Sequence, residues 1–311
     1  MKRSYKNIVF VLVFVAILIA GVIALAVNLK SRETKRCYTI VASNFASYDF
    51  ARAVTGDAAE VKMLLKPGAE AHDFEPTPED IIDIKNADLF VYIGGESEEW
   101  VEKILESNNI SSSKTLELMD DMELIEEEDE HSTEEAEYDE HIWTSPKNAI
   151  MIVQRITDKL AEINPQKVDE YTNNANKYVE RLSKIDEKFQ EIVSNASKNE
   201  LIFGDRFPFL YFVREYGLKY TAAFPGCSEQ TEADAATIAR LIDRAKATNT
   251  KVILKIELTS DKIAKTIAEA TGASVMEFSA AHNVSKADFE KGVTYADLIE
   301  QNTKVLEEAL K

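Results

Sequence analysis

The sequence predicts an α/β protein of two lobes, each a mainly parallel sheet flanked by helices, joined by one long rigid helix with a site in the cleft. Three observations carry that expectation. Short apolar strands alternate with amphipathic helices from Tyr38 to Asn164, the pattern of a parallel sheet covered on both faces. The same alternation resumes at Lys198 and runs to the C-terminus. Between them Val168, Tyr171, Ala175, Tyr178, Val179, Leu182, Ile185, Phe189 and Ile192 recur at helical spacing with no internal glycine or proline after Pro165. The helix so predicted, 165–197, reaches roughly 45 Å, enough to run the length of two lobes.

Ahead of the first strand, Lys2, Arg3 and Lys6 precede a charge-free run of 20 residues, Ile8 to Val27. As a helix it spans about 30 Å, the thickness of a bilayer's hydrocarbon core. The apolar region of a cleaved signal peptide is shorter, about 7–15 residues. Residues 1–37 are therefore expected to be a cytoplasmic stub, an uncleaved signal anchor and a linker, with the body on the outer face of the cytoplasmic membrane. Cys37 follows Glu33-Thr34-Lys35-Arg36, charged where a lipid-modified cysteine needs small apolar neighbours, so lipid attachment is not expected. Two cysteines, Cys37 and Cys227, exclude a disulfide framework. A formal charge of −19 over 311 residues excludes nucleic acid as a partner and favours cations.

In the first lobe, 38–164, the stretch 38–42 reads as a buried strand, 43–45 as a loop, 48–54 as a helix closed by Gly56 and 61–65 as a second strand. Pro67 and Gly68 then punctuate a loop carrying His72. Thr77 is a good N-cap, Pro78 suits the first helical turn, and Glu79 and Asp80 suit its positive end, so a helix follows to Asn86. Residues 87–93 form a third strand closed by Gly94-Gly95, and a helix runs from Glu98 to Glu106. Residues 120–140 break the rhythm with thirteen Asp or Glu and no Lys or Arg, leaving the rest of the chain with only about −6. This acidic loop reads as a solvated insertion or as a low-affinity cation collector with His131 its only nitrogen ligand. Ser145 as N-cap and Pro146 in the first turn then start a helix to Ile163. His72 and His141 thus each stand a few residues before a capped helix start.

In the second lobe, 198–311, the stretch 201–203 is a strand, Gly204 to Phe209 a loop, and a helix through Tyr216 ends at Gly217. A strand at 220–224 and a helix at 237–247 lead to a strand, 252–256, that delivers Glu257. A helix at 261–271 leads to a strand, 274–278, that delivers His282, and a helix from Tyr295 closes the chain. Loops beyond the strand C-termini gather ligand groups in such folds. Three of the four histidines, with Asp205 and Glu257, fall beside such loops or just before helix starts. Imidazoles with a carboxylate suit Zn²⁺ and, less selectively, Mn²⁺. The spacing is dispersed and contains no HExxH, CxxC or nucleophile elbow, so a binding protein is expected rather than an enzyme. The rival from another class is a zinc hydrolase with Glu257 or Glu75 as general base. A third reading is an adhesin or signalling ectodomain that kept the fold without transport.

Several windows together resemble the metal-specific solute-binding proteins of zinc and manganese ABC importers. They are Lys66-Pro67-Gly68…His72-Asp73-Phe74-Glu75-Pro76-Thr77, Ala87-Asp88-Leu89…Gly94-Gly95-Glu96 and Asp139-Glu140-His141-Ile142-Trp143…Pro146-Lys147-Asn148-Ala149, with Tyr216-Gly217-Leu218 and Thr294-Tyr295…Asn302 behind them. The resemblance implies two α/β lobes binding one metal ion, delivery to an ABC permease and its ATPase, and a monomer anchored to the membrane by its N-terminal helix. It places His72 and His141 as first-lobe metal ligands. In the second lobe the usual ligand position holds Arg206, which cannot bind a cation. Asp205 beside it is either a substitute ligand or an N-cap or salt-bridge partner. His282 stands where the family's final Asp-Pro element is absent and is taken as the third ligand. Glu257 is a ligand or an acceptor for an imidazole N–H. Related chains carry a cysteine at the position of Ala281, bonded to the one matching Cys227, so here Cys227 is expected to be a buried free thiol.

Overall fold

The computed structural model describes residues 37–71, 74–127, 138–226, 228 and 232–311. The run from Ile8 to Val27, His72, His131 and Cys227, and the expectations placed on them, lie outside those residues. Among the described residues no helix is long and apolar enough to cross a membrane.

The first sheet has the order β2-β1-β3-β4, built from β1 (Tyr38–Ala42), β2 (Ala59–Met63), β3 (Leu89–Tyr92) and β4 (Thr115–Glu117). β1 and β3 pair in parallel with Val41 opposite Phe90, and β3 and β4 pair in parallel with Val91 opposite Leu116. Between the strands run α1 (Phe45–Thr55), α2 (Pro78–Asn86) and α3 (Trp100–Ser107). α1 starts at Phe45, earlier than the periodicity indicates, because Asn44 caps it reciprocally with Ser47. β4 has no counterpart in the sequence reading. It is three residues long and half-buried, too short to show a period.

After α4 (Pro146–Ile163) and a 3₁₀ turn at Pro165–Lys167 comes α5 (Val168–Asn195), 28 residues and about 42 Å long. Its apolar stripe, Tyr171, Ala175, Leu182, Ile185, Phe189 and Ile192, is buried along its length. Asp49 on α1 accepts hydrogen bonds from Tyr178 Oη on α5 (2.6 Å) and from the backbone N–H of Tyr295 (2.9 Å). Since Tyr295 opens α10 (Tyr295–Ala309), one buried carboxylate ties three helices together. Farther along α5, Asp186 accepts from Tyr216 Oη at 2.7 Å, fixing α6 (Leu210–Tyr216) against the same helix.

The second sheet has the order β6-β5-β7-β8, from β5 (Glu200–Phe207), β6 (Lys219–Pro225), β7 (Val252–Lys255) and β8 (Ser274–Glu277), all in parallel. It carries α7 (Ala235–Ala247), α8 (Lys262–Thr271) and the short α9 (Lys286–Glu290). Here the structure corrects the sequence reading: Gly204 to Phe207 is not loop but the end of β5, with all eight residues buried. An irregular register between Phe203 and Arg206 lets Arg206 pair with Phe224. Gly204 lies against α8 so tightly that a Cβ there would stand 2.5 Å from Ala264 Cα. Gly204→Ala is therefore expected to destabilise the protein by about 1–3 kcal/mol. Denaturant unfolding checks it, and an unchanged midpoint would show that this contact yields freely.

Candidate metal centre

His141 and His282 come from different lobes and meet edge-on, ring centroids 5.2 Å apart and planes at 90°. His141 follows the acidic loop and opens a 3₁₀ turn, Ile142–Thr144, that runs into α4. Its ring is fully buried. Asp139 Oδ1 contacts its Nδ1 at 3.0 Å and accepts its backbone N–H at 2.6 Å. A carboxylate on Nδ1 favours the tautomer with the proton there, leaving Nε2 as the nitrogen offered to a cation. Tyr211 Oη donates to Asp139 O at 2.8 Å, so the second lobe braces this turn.

His282 sits on the loop after β8. Ala281 just before it has φ 54°, the left-handed region that a side chain rarely adopts. That twist aims two N–H groups at one acceptor: Glu257 Oε2 takes the N–H of Ala280 at 2.7 Å and Oε1 takes that of His282 at 2.9 Å. Leu258, next to Glu257, is also left-handed at φ 59°. The same loop clamps the first lobe. Asn283 Nδ2 donates to Lys66 O at 2.9 Å and Ala69 O at 2.8 Å, and Gly68 N–H donates to Val284 O at 2.9 Å. These bonds hold residues 66–69 of the first lobe against the loop after β8.

Trp143 packs beside both imidazoles, 5.4 Å from the His141 ring and 5.0 Å from the His282 ring. Its Nε1–H donates to Ala280 O at 2.8 Å, joining the two lobes directly at the site. Together these groups enclose a cavity of about 30 Å³ lined by Glu70, His141, Arg206, Glu257 and His282. That volume holds a single small body such as an ion or water.

Ligand atoms of Glu140, His141 and His282 lie within 4.8 Å of one another, close enough to hold one metal ion. Glu140 is a member that sequence reasoning missed. It is buried, with Ser97 Oγ donating to it at 2.6 Å and Ser97 N–H at 3.1 Å. The available signal was its position directly before His141, hidden because it closes an acidic run. Burial pushes the carboxyls of Glu140 and Glu257 up from their ordinary range. A cation close to either one favours its ionised form. Asp205 does not line the cavity. Its Oδ1 accepts the N–H of Arg206 at 2.9 Å and its Oδ2 the N–H of Ile256 at 3.1 Å and the hydroxyl of Thr259. It holds β5 to the end of β7, which removes it from the ligand set we carry forward.

The fold that brings these residues together has counterparts in known proteins. Residues 40–309 match the family model described as ZnuA, zinc-uptake complex component A periplasmic. The chain belongs to the ZnuA family. It is 33% identical to the high-affinity zinc uptake system protein ZnuA of Bacillus subtilis (strain 168), over 87% of each chain. It is 31% identical to the zinc-binding lipoprotein AdcA of Streptococcus pneumoniae (strain ATCC BAA-255 / R6), covering 94% of this chain but 60% of that protein's length. It superposes on the crystal structure of the Zn(II)-bound ZnuA-like domain of Streptococcus pneumoniae AdcA with a TM-score of 0.76 at 30% identity, covering 88% of this chain and 99% of that one. The ZnuA-type fold thus accounts for both four-stranded sheets and for the long helix α5 packed against α1, α4 and α10.

Proposed function

We propose that the protein captures Zn²⁺ outside the cytoplasm and passes it to an ABC permease and its ATPase. Zinc is the cargo, and no chemical step is performed on it. The observation that carries this reading is the convergence of His141 and His282 from opposite lobes on one small cavity with Glu140 and Glu257 at hand. His72, His141 and His282 serve as the ligating imidazoles, with a buried carboxylate completing a four-coordinate shell. A shell rich in neutral nitrogen favours Zn²⁺ over Mn²⁺, which prefers oxygen. Lobes 38–164 and 198–311 enclose the ion, with 165–197 as the strut. The chain acts as a monomer on the outer face of the membrane, held by the apolar run near its N-terminus, as relatives named lipoproteins are held by lipid. A hydrolase is disfavoured because a shell saturated by protein ligands leaves no open position for a water. An adhesin or signalling ectodomain that kept the fold but lost the metal would show no stoichiometric zinc.

Capture requires deprotonated imidazoles. Burial works to lower the His141 pKa, but the carboxylates of Asp139 and Glu140 outweigh it and leave it raised. Protons therefore compete for this ligand at a higher pH than for a free imidazole of pKa about 6.5. Zinc affinity is expected to fall steadily from about pH 7.5 to about pH 5.5, with the decline under way above about pH 6.5. A competition titration at several pH values tests this. Affinity that stays flat across the range contradicts histidine ligation.

A further inference from the structure

One wall of the cation cavity is a cation. Arg206, at the buried end of β5, is only 6% exposed and lines the cavity with His141, His282 and Glu257. A guanidinium keeps its proton under all ordinary conditions and offers donors only. It therefore places a permanent positive charge beside the space for a divalent ion. Its Nη2 donates to Glu70 Oε2 at 3.0 Å, and its Nη1 donates to Ser228 O at 3.4 Å. Glu70 lies on the first lobe's loop and lines the same cavity, so the pair joins the two lobes beside the metal space.

We propose that Glu70 and Arg206 form a charge switch that sets how firmly the site retains its cation. This rests on the zinc-capture reading above. While the pair is made, Glu70 neutralises the guanidinium, and Glu257 in the cavity wall is left to attract the ion. When the Glu70 loop separates from the end of β5, Arg206 faces the ion without its partner and repels it, so opening the lobes expels the cargo as well as uncovering it. Arg206 is thus a release-promoting residue and Glu70 its masking partner.

A structural latch and a charge switch predict different signs. If the pair only held the lobes together, removing either partner would weaken zinc binding. For a charge switch, Glu70→Gln leaves the guanidinium unmasked, and zinc affinity is expected to fall tenfold or more with faster release. Arg206→Met removes the repelling charge at similar volume, and affinity is expected to rise about tenfold with slower release. Arg206→Lys keeps the charge and is expected to stay within a few fold of wild type. The measurement is chelator-competition affinity and stopped-flow release for wild type and the three variants, with thermal melting to verify folding. Both variants weakened alike, or Arg206→Met unchanged while folded, overturns the switch and leaves zinc capture standing. A wild-type protein that takes up no zinc overturns the function and the switch together.

Discussion

Replacing His282 by alanine lowers zinc affinity about a thousandfold, equivalent to about 4 kcal/mol, while the protein stays folded. The fold survives because the loop's shape does not depend on the imidazole. Glu257 holds the backbone N–H groups on either side of Ala281, Phe45 N–H donates to His282 O at 3.3 Å, and Asn283 clamps the opposite loop. Zinc retention suffers because one of the two imidazoles that meet at the cavity is gone, and a water in its place is a weaker ligand. Competition titration beside a thermal melt reads both effects. Wild-type affinity in a folded His282→Ala protein would remove the second-lobe ligand from the account.

The largest effect on stability falls on Trp143. Its side chain is fully buried, packs against both imidazoles and joins the lobes through Nε1 and Ala280 O. Its own carbonyl accepts from Tyr295 Oη at 2.5 Å, which links it to the α10 cap and so to the long helix. Trp143→Ala is expected to lose about 3–5 kcal/mol from the cavity it leaves. Trp143→Phe keeps most of the packing but orphans Ala280 O, at about 1–3 kcal/mol. Both variants free the two histidine rings to drift, so zinc affinity is expected to drop in the phenylalanine variant although every ligand remains. Denaturant unfolding and zinc titration on the same samples separate the two consequences. Unchanged zinc affinity in Trp143→Phe would mean that Trp143 supports the fold without positioning the site.

What could be read from sequence follows from how local each signal is. The start of α4 was legible because its cap is local: Ser145 accepts the N–H of Asn148 three residues on. The strut was legible because its apolar stripe is long. The end of β5 was not, since Gly204-Asp205-Arg206-Phe207-Pro208 is a turn composition by any local rule. Its burial rests on distant partners, Ile256 for Asp205 and Glu70 for Arg206, 51 and 136 residues away in the chain. Glu140 escaped for the same reason, its partner Ser97 being 43 residues away. Asp205 was a fair candidate by residue type and neighbourhood, but its carboxylate is occupied in stitching β5 to β7. His141 and His282 stood out because a chain with only four histidines spent two of them beside helix and strand ends.

The proposed function puts one zinc ion at His141 and His282. It is tested most directly by elemental analysis of the protein purified without chelators, wild type beside His282→Ala. The account predicts close to one zinc per wild-type chain, little manganese, and zinc largely lost from the variant. Wild-type protein without zinc, or a variant that retains it in full, would contradict the account.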